Sequence, residues 1–275
     1  MSLARATYTS SSFRLDAIGI GSIRDKVRFL VDYGVLAPAG EPWVFSIGES
    51  AIDLRMAHRC ASRSDDAAHR AVVVGCGFGL GLFRCALHSL GCIESTVLLP
   101  DEAQPDLLAR VYVEKSDGTT DTGHLFHRAL DAALAAAPGI ERALVEELAA
   151  HAGMERARLV LGSSDAAASI ETAAPCRAPT FGDLASSLRW FVGGPDTLAA
   201  GFVTEIGGEI ETNGDGVRER VCAGQALARI ALRARVDGLL TCIESPRSGT
   251  RHDWQPQATI RIGTPRRALA RAATR

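Results

Sequence analysis

Residues 69–113 read HRAVVVGCGFGLGLFRCALHSLGCIESTVLLPDEAQPDLLARVYV, and this stretch decides between two incompatible folds. In one interpretation, residues 71–74 form a buried strand, and the glycines after it form a turn that binds the pyrophosphate of a dinucleotide. In the other, the same glycines lie inside one long buried helix, where small residues let neighbouring helices approach closely. The choice decides which cofactor the chain is expected to bind, and where.

The glycine spacing argues against the dinucleotide turn. Such a turn needs G-x-G-x-x-G between a strand and a helix, because the pyrophosphate rests on the helix N-terminus. Here glycine alternates with other residues from 75 to 81, so that leucine occupies the third position of the motif. The acidic residue expected about 20 residues later is Glu94, which precedes the next predicted strand, and no β-α-β continuation follows. We therefore predict a helix through most of residues 69–90.

Composition places the chain among ordinary soluble proteins. Of its 275 residues, 47% are hydrophobic and 23% charged, and the net charge of -2 gives no attraction to nucleic acid or to an anionic membrane. Its seven cysteines contain no C-x-x-C pair, which favours a reducing cytoplasm over a disulfide scaffold. No secretory signal is visible at the N-terminus. Basic residues are nearly all arginine, which indicates a GC-rich, bacterial genome.

Apolar periodicity and breaker residues outline the elements. The first 16 residues are expected to be disordered or extended. The predicted strands cover residues 43–47, 95–99, 108–114, 158–161 and 258–262. Besides the helix of the opening stretch, the predicted helices cover residues 23–36, 124–137, 140–152, 181–192 and 217–237. We expect Gly238 to cap the last of these helices.

An internal repeat relates the two halves of the chain. A shift of 147 residues aligns Gly77 with Gly224 and Gly91 with Gly238, and it superimposes apolar positions between them. It also places residues 111–113 on 258–260. Both halves are therefore expected to contain a long buried helix that ends in glycine, followed by a connection and a strand.

The segments CGFGLGLFRCALHSLG and VLLPDEAQPDLLARVYV resemble the nitroreductase superfamily, in particular its Acg-like branch. LVDYGVLAPAGEPWVFSIGESAIDLRMAHR is similar to that branch's flavin turn and the segment after it. AGQALARIALRARVDGLL, QPQATIRIGTP and the arginine pair Arg266–Arg267 are similar to its closing helix, central strand and basic pair. The resemblance covers most of residues 23–267.

The resemblance implies an α+β, nitroreductase-like fold with FMN at the interface of two related halves in one chain, a pseudo-dimer. The halves would span residues 17–118 and 119–265, before a basic tail at 266–275. The implied activity is hydride transfer from NAD(P)H through FMN to a nitroaromatic or quinone acceptor. The flavin carries the chemistry, so that no catalytic side chain is required. The chain would act without nucleic acid or membrane, as a monomeric pseudo-dimer or a homodimer.

The implied cofactor-binding residues lie in a shortened flavin turn and in the basic pair. They are Ala37, Pro38, Ala39, Glu41, Trp43, Arg266 and Arg267. The family has polar side chains where this turn has Ala39 and Glu41. Three lost contacts at about 1 kcal/mol each would weaken FMN binding by on the order of a hundredfold.

Other functions stay open. The chain is either an oxidoreductase or a degenerate relative that sequesters flavin, or that regulates without a cofactor. A tailoring dehydrogenase is a further alternative. No metal site is predicted, because His124 and His127 share a helix face without a third ligand.

Overall fold

The structure is a computed structural model that describes residues 42–57, 66–115, 121–132, 140–162, 202–246 and 253–265. Within these ranges the chain has a mixed α+β fold of eight strands and four helices. The first elements are β1 (Trp43–Ile47), β2 (Ile52–Met56), α1 (Asp66–Ser89), β3 (Cys92–Leu98), β4 (Leu107–Lys115) and α2 (Asp121–Asp131). They are followed by α3 (Arg142–Gly153), β5 (Ala157–Leu161), β6 (Phe202–Thr212), α4 (Val217–Val236), β7 (Leu240–Glu244) and β8 (Gln255–Pro265).

The strands form two antiparallel sheets of four strands with the same topology. The first sheet has the order β1-β2-β4-β3, and the second has the order β5-β6-β8-β7. In each sheet the first two strands precede a long helix and the last two follow it. We call β1–β4 with α1 the first half, and β5–β8 with α4 the second half. Each half is therefore a ββαββ unit.

The glycine-rich stretch is helical, as predicted. Helix α1 runs from Asp66 to Ser89, and every residue from Ala71 to Phe83 is buried. The β-branched run 72–74 favours a strand locally, but burial inside a helical core outweighs that preference. The helix is long and apolar enough to span a membrane, but 89% of the relevant window is buried inside the protein, which is typical of a core helix.

Helices α1 and α4 cross at the glycines that the repeat aligns. A Cβ built on Gly77 would lie 2.9 Å from the carbonyl carbon of Val221, and a Cβ on Gly224 would overlap the carbonyl oxygen of Val74. The two contacts are reciprocal, because the 147-residue shift converts Val74 into Val221 and Gly77 into Gly224. A two-fold operation produces contacts of this kind. Further along, Gly81 meets Gln225 and Ala228, so the two helices run parallel.

The helix ends also repeat. Gly91 follows α1 with a φ of 68°, and Gly238 follows α4 with a φ of 75°. A left-handed residue at this position satisfies the last carbonyls of a helix, and glycine adopts it without a steric penalty. Residues 111–113 and 258–260, which the repeat aligns, lie in β4 and β8. The internal repeat is thus confirmed in its helices, its caps and its strand order.

One hydrophobic core serves both halves. Helix α1 packs on the first sheet, α4 packs on the second, and the two helices pack against each other. The fully buried side chains come from both halves, among them Phe78, Phe83, Leu227 and Ile230. The sheets are therefore joined through the crossing helices.

Most other predicted elements in the described residues are confirmed with shifted ends. Strands β2, β6 and β7 were not predicted. The predicted helices at 23–36 and 181–192 lie outside the described residues, as do the first 16 residues and the basic tail. The boundary between residues 118 and 119 stays a prediction.

Candidate functional site

Of the predicted flavin-binding residues, the structure describes only Trp43. Its side chain is 3% exposed, and its ring packs over Gly79, where a built Cβ would lie 2.8 Å from Cε2 of the indole. Trp43 is thus a core residue that packs β1 against helix α1. The other predicted residues lie outside the described ranges; they are Ala37, Pro38, Ala39, Glu41, Arg266 and Arg267.

A cleft of about 820 Å³ opens where the two halves meet. One wall belongs to the first half and consists of Arg84 on α1 and residues 94–98 of β3. The other wall consists of residues 153–157 between α3 and β5, the first turns of α4, and Trp254 before β8. Its volume lies within the range of small-molecule and cofactor sites. The cleft is therefore the candidate functional site.

Two strained residues flank this cleft. Leu99 has a φ of 52° and Arg156 a φ of 59°, and they are the two non-glycine residues with positive φ in the described part of the chain. Arg156 lines the cleft, and Leu99 directly follows Leu98, which lines the opposite wall. Left-handed backbone at a side chain of this size is unfavourable, and such strain concentrates at functional sites. The two strained residues and the cleft volume therefore indicate the same candidate site.

Buried ion pairs form the floor of the cleft. The Arg84 guanidinium donates from Nε to Glu94 at 2.7 Å, and from Nη1 to Glu155 at 3.0 Å and to the Gln225 amide oxygen at 2.6 Å. Arg229 donates to the other side of Glu155 at 2.6 Å. The two carboxylates and two guanidinium groups balance in charge. The network also joins the halves, since Arg84 belongs to the first and Gln225 to the second.

The network stabilises the ionised states of Glu94 and Arg84. Burial acts to raise the pKa of Glu94, but hydrogen bonds and charge from His88, Arg84 and Thr96 outweigh it and bring the pKa to about 2. Burial acts to lower the pKa of Arg84, but the two glutamates outweigh it and raise that pKa. Glu94 and Arg84 therefore both stay charged at physiological pH.

The nearby cysteines are poor nucleophiles. Burial raises the pKa of the Cys85 thiol to about 11, and it raises the pKa of Cys222 at the cleft wall. The thiolate is the reactive form, so that neither side chain is activated. Neither cysteine therefore provides an activated nucleophile at the cleft.

The mouth of the cleft carries two exposed arginines. Arg156 and Arg218 both line it, and neither has a carboxylate partner within the described residues. Arg218 donates to the Leu98 carbonyl oxygen at 3.2 Å, across the cleft from its own helix. Gly153 lies beside them, and a Cβ built there would meet no atom within 4 Å.

Trp254 supplies an aromatic wall. The Arg158 guanidinium lies 4.3 Å from its ring centroid, and Arg158 in turn pairs with the buried Glu211. A stacked guanidinium holds the indole in place through cation–π attraction. The cleft therefore combines a fixed aromatic ring, a charged floor and two cations at its mouth.

Topology relates this cleft to the predicted flavin turn. In the first sheet, Trp43 at the start of β1 pairs with Met56 at the end of β2. In the second, Ala157 at the start of β5 pairs with Thr212 at the end of β6. The segment before Ala157, residues 151–156, is therefore the counterpart of the predicted turn before Trp43. The structure places this counterpart on the wall of the cleft.

Among the described residues, the positions on the α1 side that correspond to polar residues of the cleft are mostly apolar. The 147-residue shift places Arg84, Glu94 and Gln225 on Ala231, Thr241 and Phe78, which are all buried. Arg218 and Cys222 likewise correspond to Ala71 and Gly75, both buried in α1. The two halves share a fold. However, the wall positions are polar in the cleft, and the positions that the 147-residue shift relates to them are mostly apolar.

Sequence reasoning missed most of the cleft. From the sequence, Glu94 is interpreted only as a possible ribose ligand, and Arg84 has no predicted role. Their partners lie far along the chain, since Glu155 is 71 residues and Gln225 141 residues from Arg84. The 147-residue repeat does not lead there, because it carries the turn at residues 37–42 to residues 184–189; the strand pairing relates residues 151–156 to that turn.

No cluster of three potential metal ligands occurs among the described residues. His124 is exposed, and His127 lies 3.3 Å from the Ser89 carbonyl oxygen, which accounts for it without a metal. In comparisons with known proteins, no family model matches the chain, and no curated protein is significantly similar to it.

Proposed function

We propose that the chain is an FMN-binding, NAD(P)H-dependent oxidoreductase of nitroreductase type, with the cleft as its flavin site. The observation that carries the proposal is the position of the cleft. It lies between two ββαββ halves related by the crossing of α1 and α4, and its wall includes the counterpart of the predicted flavin turn. Two residues from the motifs of the nitroreductase resemblance line the same cleft: Arg84, which follows the glycine-rich run, and Leu98, which begins the LLPD turn.

The residues of the cleft fit a planar, anionic ligand. Gly153 leaves open space where a side chain would project, so that a ring can approach the backbone closely. Trp254 presents an aromatic ring to this space. The paired floor keeps Glu94 and Glu155 from repelling a negatively charged ring, because Arg84 and Arg229 neutralise them.

Bound FMN would supply the two-electron chemistry, taking electrons from a nicotinamide and passing them to an acceptor of nitroaromatic or quinone type. The side chains of the cleft bind and orient. The buried ion pairs fix the floor, and the strained turn at Arg156 holds the 153–157 wall at a set position. No catalytic acid or base is assigned. The predicted turn at residues 37–43 and the arginines 266 and 267 stay predicted contributors.

The visible spectrum of the purified protein, followed by titration with FMN, tests this proposal. We expect a flavin spectrum or saturable FMN binding, and bleaching of the flavin by NADPH or NADH under anaerobic conditions. Absence of FMN binding would contradict the proposal.

A pair of variants locates the site. Gly153→Leu should abolish FMN binding by filling the cleft. Ala149→Leu adds the same side chain to an exposed position of the same helix, and it should leave binding unchanged. Equal FMN affinity in both variants would place the flavin elsewhere.

A second function is a flavin-binding protein without turnover. The apolar wall positions on the α1 side favour it, because Ala231, Thr241 and Phe78 are buried where the cleft has charged and amide side chains. The bleaching experiment separates the two functions. Only an oxidoreductase transfers electrons from the nicotinamide to its bound flavin and onward to an added quinone.

A further inference from the structure

The two arginines at the mouth of the cleft differ from the arginine at its floor. Arg84 is enclosed by carboxylates, whereas Arg156 and Arg218 are exposed and have no carboxylate partner within the described ranges. Both line the same cleft. An exposed arginine without a carboxylate partner can bind a phosphate without first breaking an ion pair.

The exposure of Arg156 and Arg218 suits a ligand that binds and dissociates in every turnover. A resident cofactor is held mainly by enclosed contacts, whereas a donor must enter and leave in every turnover. Contacts for the donor are therefore expected at the mouth, where solvent reaches the binding groups. Arg156 and Arg218 occupy such positions.

The carboxylates of the cleft do not neutralise this pair. Glu94 and Glu155 are engaged by Arg84 and Arg229. The Glu219 carboxylate folds back over the start of α4, where a Cβ on Gly216 would lie 2.6 Å from its Oε2. Sites for a free ribose 2′-hydroxyl usually present a carboxylate acceptor, while an arginine accommodates a 2′-phosphate.

We propose that Arg156 and Arg218 bind the 2′-phosphate of NADPH and so select it over NADH as the electron donor. This inference rests on the proposed oxidoreductase function, and it adds the identity of the donor. A charged hydrogen-bonded contact of this kind changes affinity by about tenfold to a hundredfold.

Two variants test the arginine pair and a third serves as the control. All three are expected to leave the fold intact. Arg156→Gly removes the guanidinium at a position whose φ of 59° suits glycine. Arg218→Ala removes the second guanidinium in the first turn of α4, where alanine is a good helix former. Arg142→Ala is the matched control, because Arg142 is 92% exposed on α3, pairs with Glu146 and does not line the cleft.

Steady-state kinetics with a quinone acceptor give the first measurement. The wild type should have a higher kcat/KM with NADPH than with NADH. Each cleft variant should lower kcat/KM for NADPH by about tenfold or more, through KM, and change the value for NADH by less than about twofold. Arg142→Ala should match the wild type. Equal kcat/KM values for NADPH and NADH in the wild type would overturn the proposal. A preference for NADPH that survives in the Arg156→Gly/Arg218→Ala double variant would also overturn it.

Binding of 2′,5′-ADP and 5′-AMP, measured by isothermal titration calorimetry, separates this inference from the proposed function. The first probe carries the 2′-phosphate and the second lacks it, and neither needs a flavin. Arginine-dependent preference for 2′,5′-ADP in a chain that binds no FMN would support the 2′-phosphate site and contradict the oxidoreductase. FMN binding and bleaching without that preference would support the oxidoreductase and overturn the 2′-phosphate site.

Discussion

Arg84 is the residue on which the floor of the cleft depends. It lies at the end of the apolar part of α1, and its guanidinium reaches carboxylates from two separate regions of the chain. Removing one partner of such a buried pair leaves the other charge without compensation, which costs more than the pair itself contributes. Single substitutions in this network should therefore be severe.

We expect Glu94→Gln to lower the free energy of unfolding at pH 7 by about 3 kcal/mol, because Arg84 loses a buried counter-charge. The pKa of Glu94 is about 2 in the folded protein, below its usual 4.5. Its ionisation therefore stabilises the fold above pH 4.5, and this contribution is lost as the pH falls from 4.5 towards 2. The difference between variant and wild type should shrink over that window.

Urea unfolding at pH 7, 4.5 and 3 measures this difference. Glu146→Gln is the control, since Glu146 pairs with Arg142 on the solvent-exposed face of α3 and should contribute less than about 1 kcal/mol. A Glu94→Gln penalty that is the same at every pH would show that the carboxylate charge is not responsible.

At the scale of residues, the sequence predicts which side chains are unusual but not which ones meet. A charged residue at the end of an apolar run and an acid before a strand are both visible in the sequence. Their contact with Glu155 depends on how two distant segments pack, and no local pattern carries that information. Trp43 shows the converse, since its place after a turn did not reveal that its ring packs on Gly79.

At the scale of elements, the crossing of α1 and α4 sets the geometry of the core. The two helices approach so closely at Gly77 and Gly224 that backbone meets backbone. A methyl group at either position must push the helices apart, and a close-packed interior resists such a shift.

We expect Gly77→Ala and Gly224→Ala each to lower the free energy of unfolding by about 2 to 3 kcal/mol. Because both glycines lie at one crossing, the double variant should lose less than the sum. Gly153→Ala is the control, since a Cβ there meets nothing within 4 Å and alanine favours the helix. Chemical denaturation measures all four variants. A crossing variant as stable as the control would mean that the helices are not in contact there.

The helix caps provide a second prediction at this scale. Gly91→Ala and Gly238→Ala should each cost about 1 to 2 kcal/mol, because a Cβ is strained at φ values of 68° and 75°. Since the two positions are structural counterparts, the two costs should be similar. Thermal unfolding of both variants tests this equality. A large cost for one and none for the other would argue against equivalent caps.

Helix positions were more predictable from sequence than strand positions. The predicted helix at 69–90 is observed at Asp66–Ser89, because a long apolar stretch without breakers favours one continuous element. Strands β2 and β7 are only five residues long, and β6 has no alternating burial along much of its length. β2 and β6 pair with β4 and β8, which are distant from them in sequence, whereas β7 pairs with β8, the next strand along the chain.

At the scale of the molecule, the two halves share one core and should unfold together. The largest buried cluster includes residues of both sheets and of all four helices. Exposing one half would expose the packed face of the other, so that a half-folded state has little stability.

We therefore expect a single cooperative transition in urea, with far-ultraviolet circular dichroism and tryptophan fluorescence coinciding. The two probes follow different regions, since circular dichroism reports on the helices, while two of the three tryptophans, Trp43 and Trp254, lie at the start of β1 and just before β8. The wild type at two protein concentrations provides the control for association. Two separated transitions would show that each half folds independently.

The unequal wall positions around the crossing helices have an evolutionary consequence. In a homodimer, one codon specifies both copies of a site, so that every substitution alters both. In this chain, Arg84 and Ala231 are equivalent positions with separate codons, as are Glu94 and Thr241. Selection could thus convert one wall to hydrophobic packing while the other kept its charged groups. Two halves encoded in one gene can each change without altering the other.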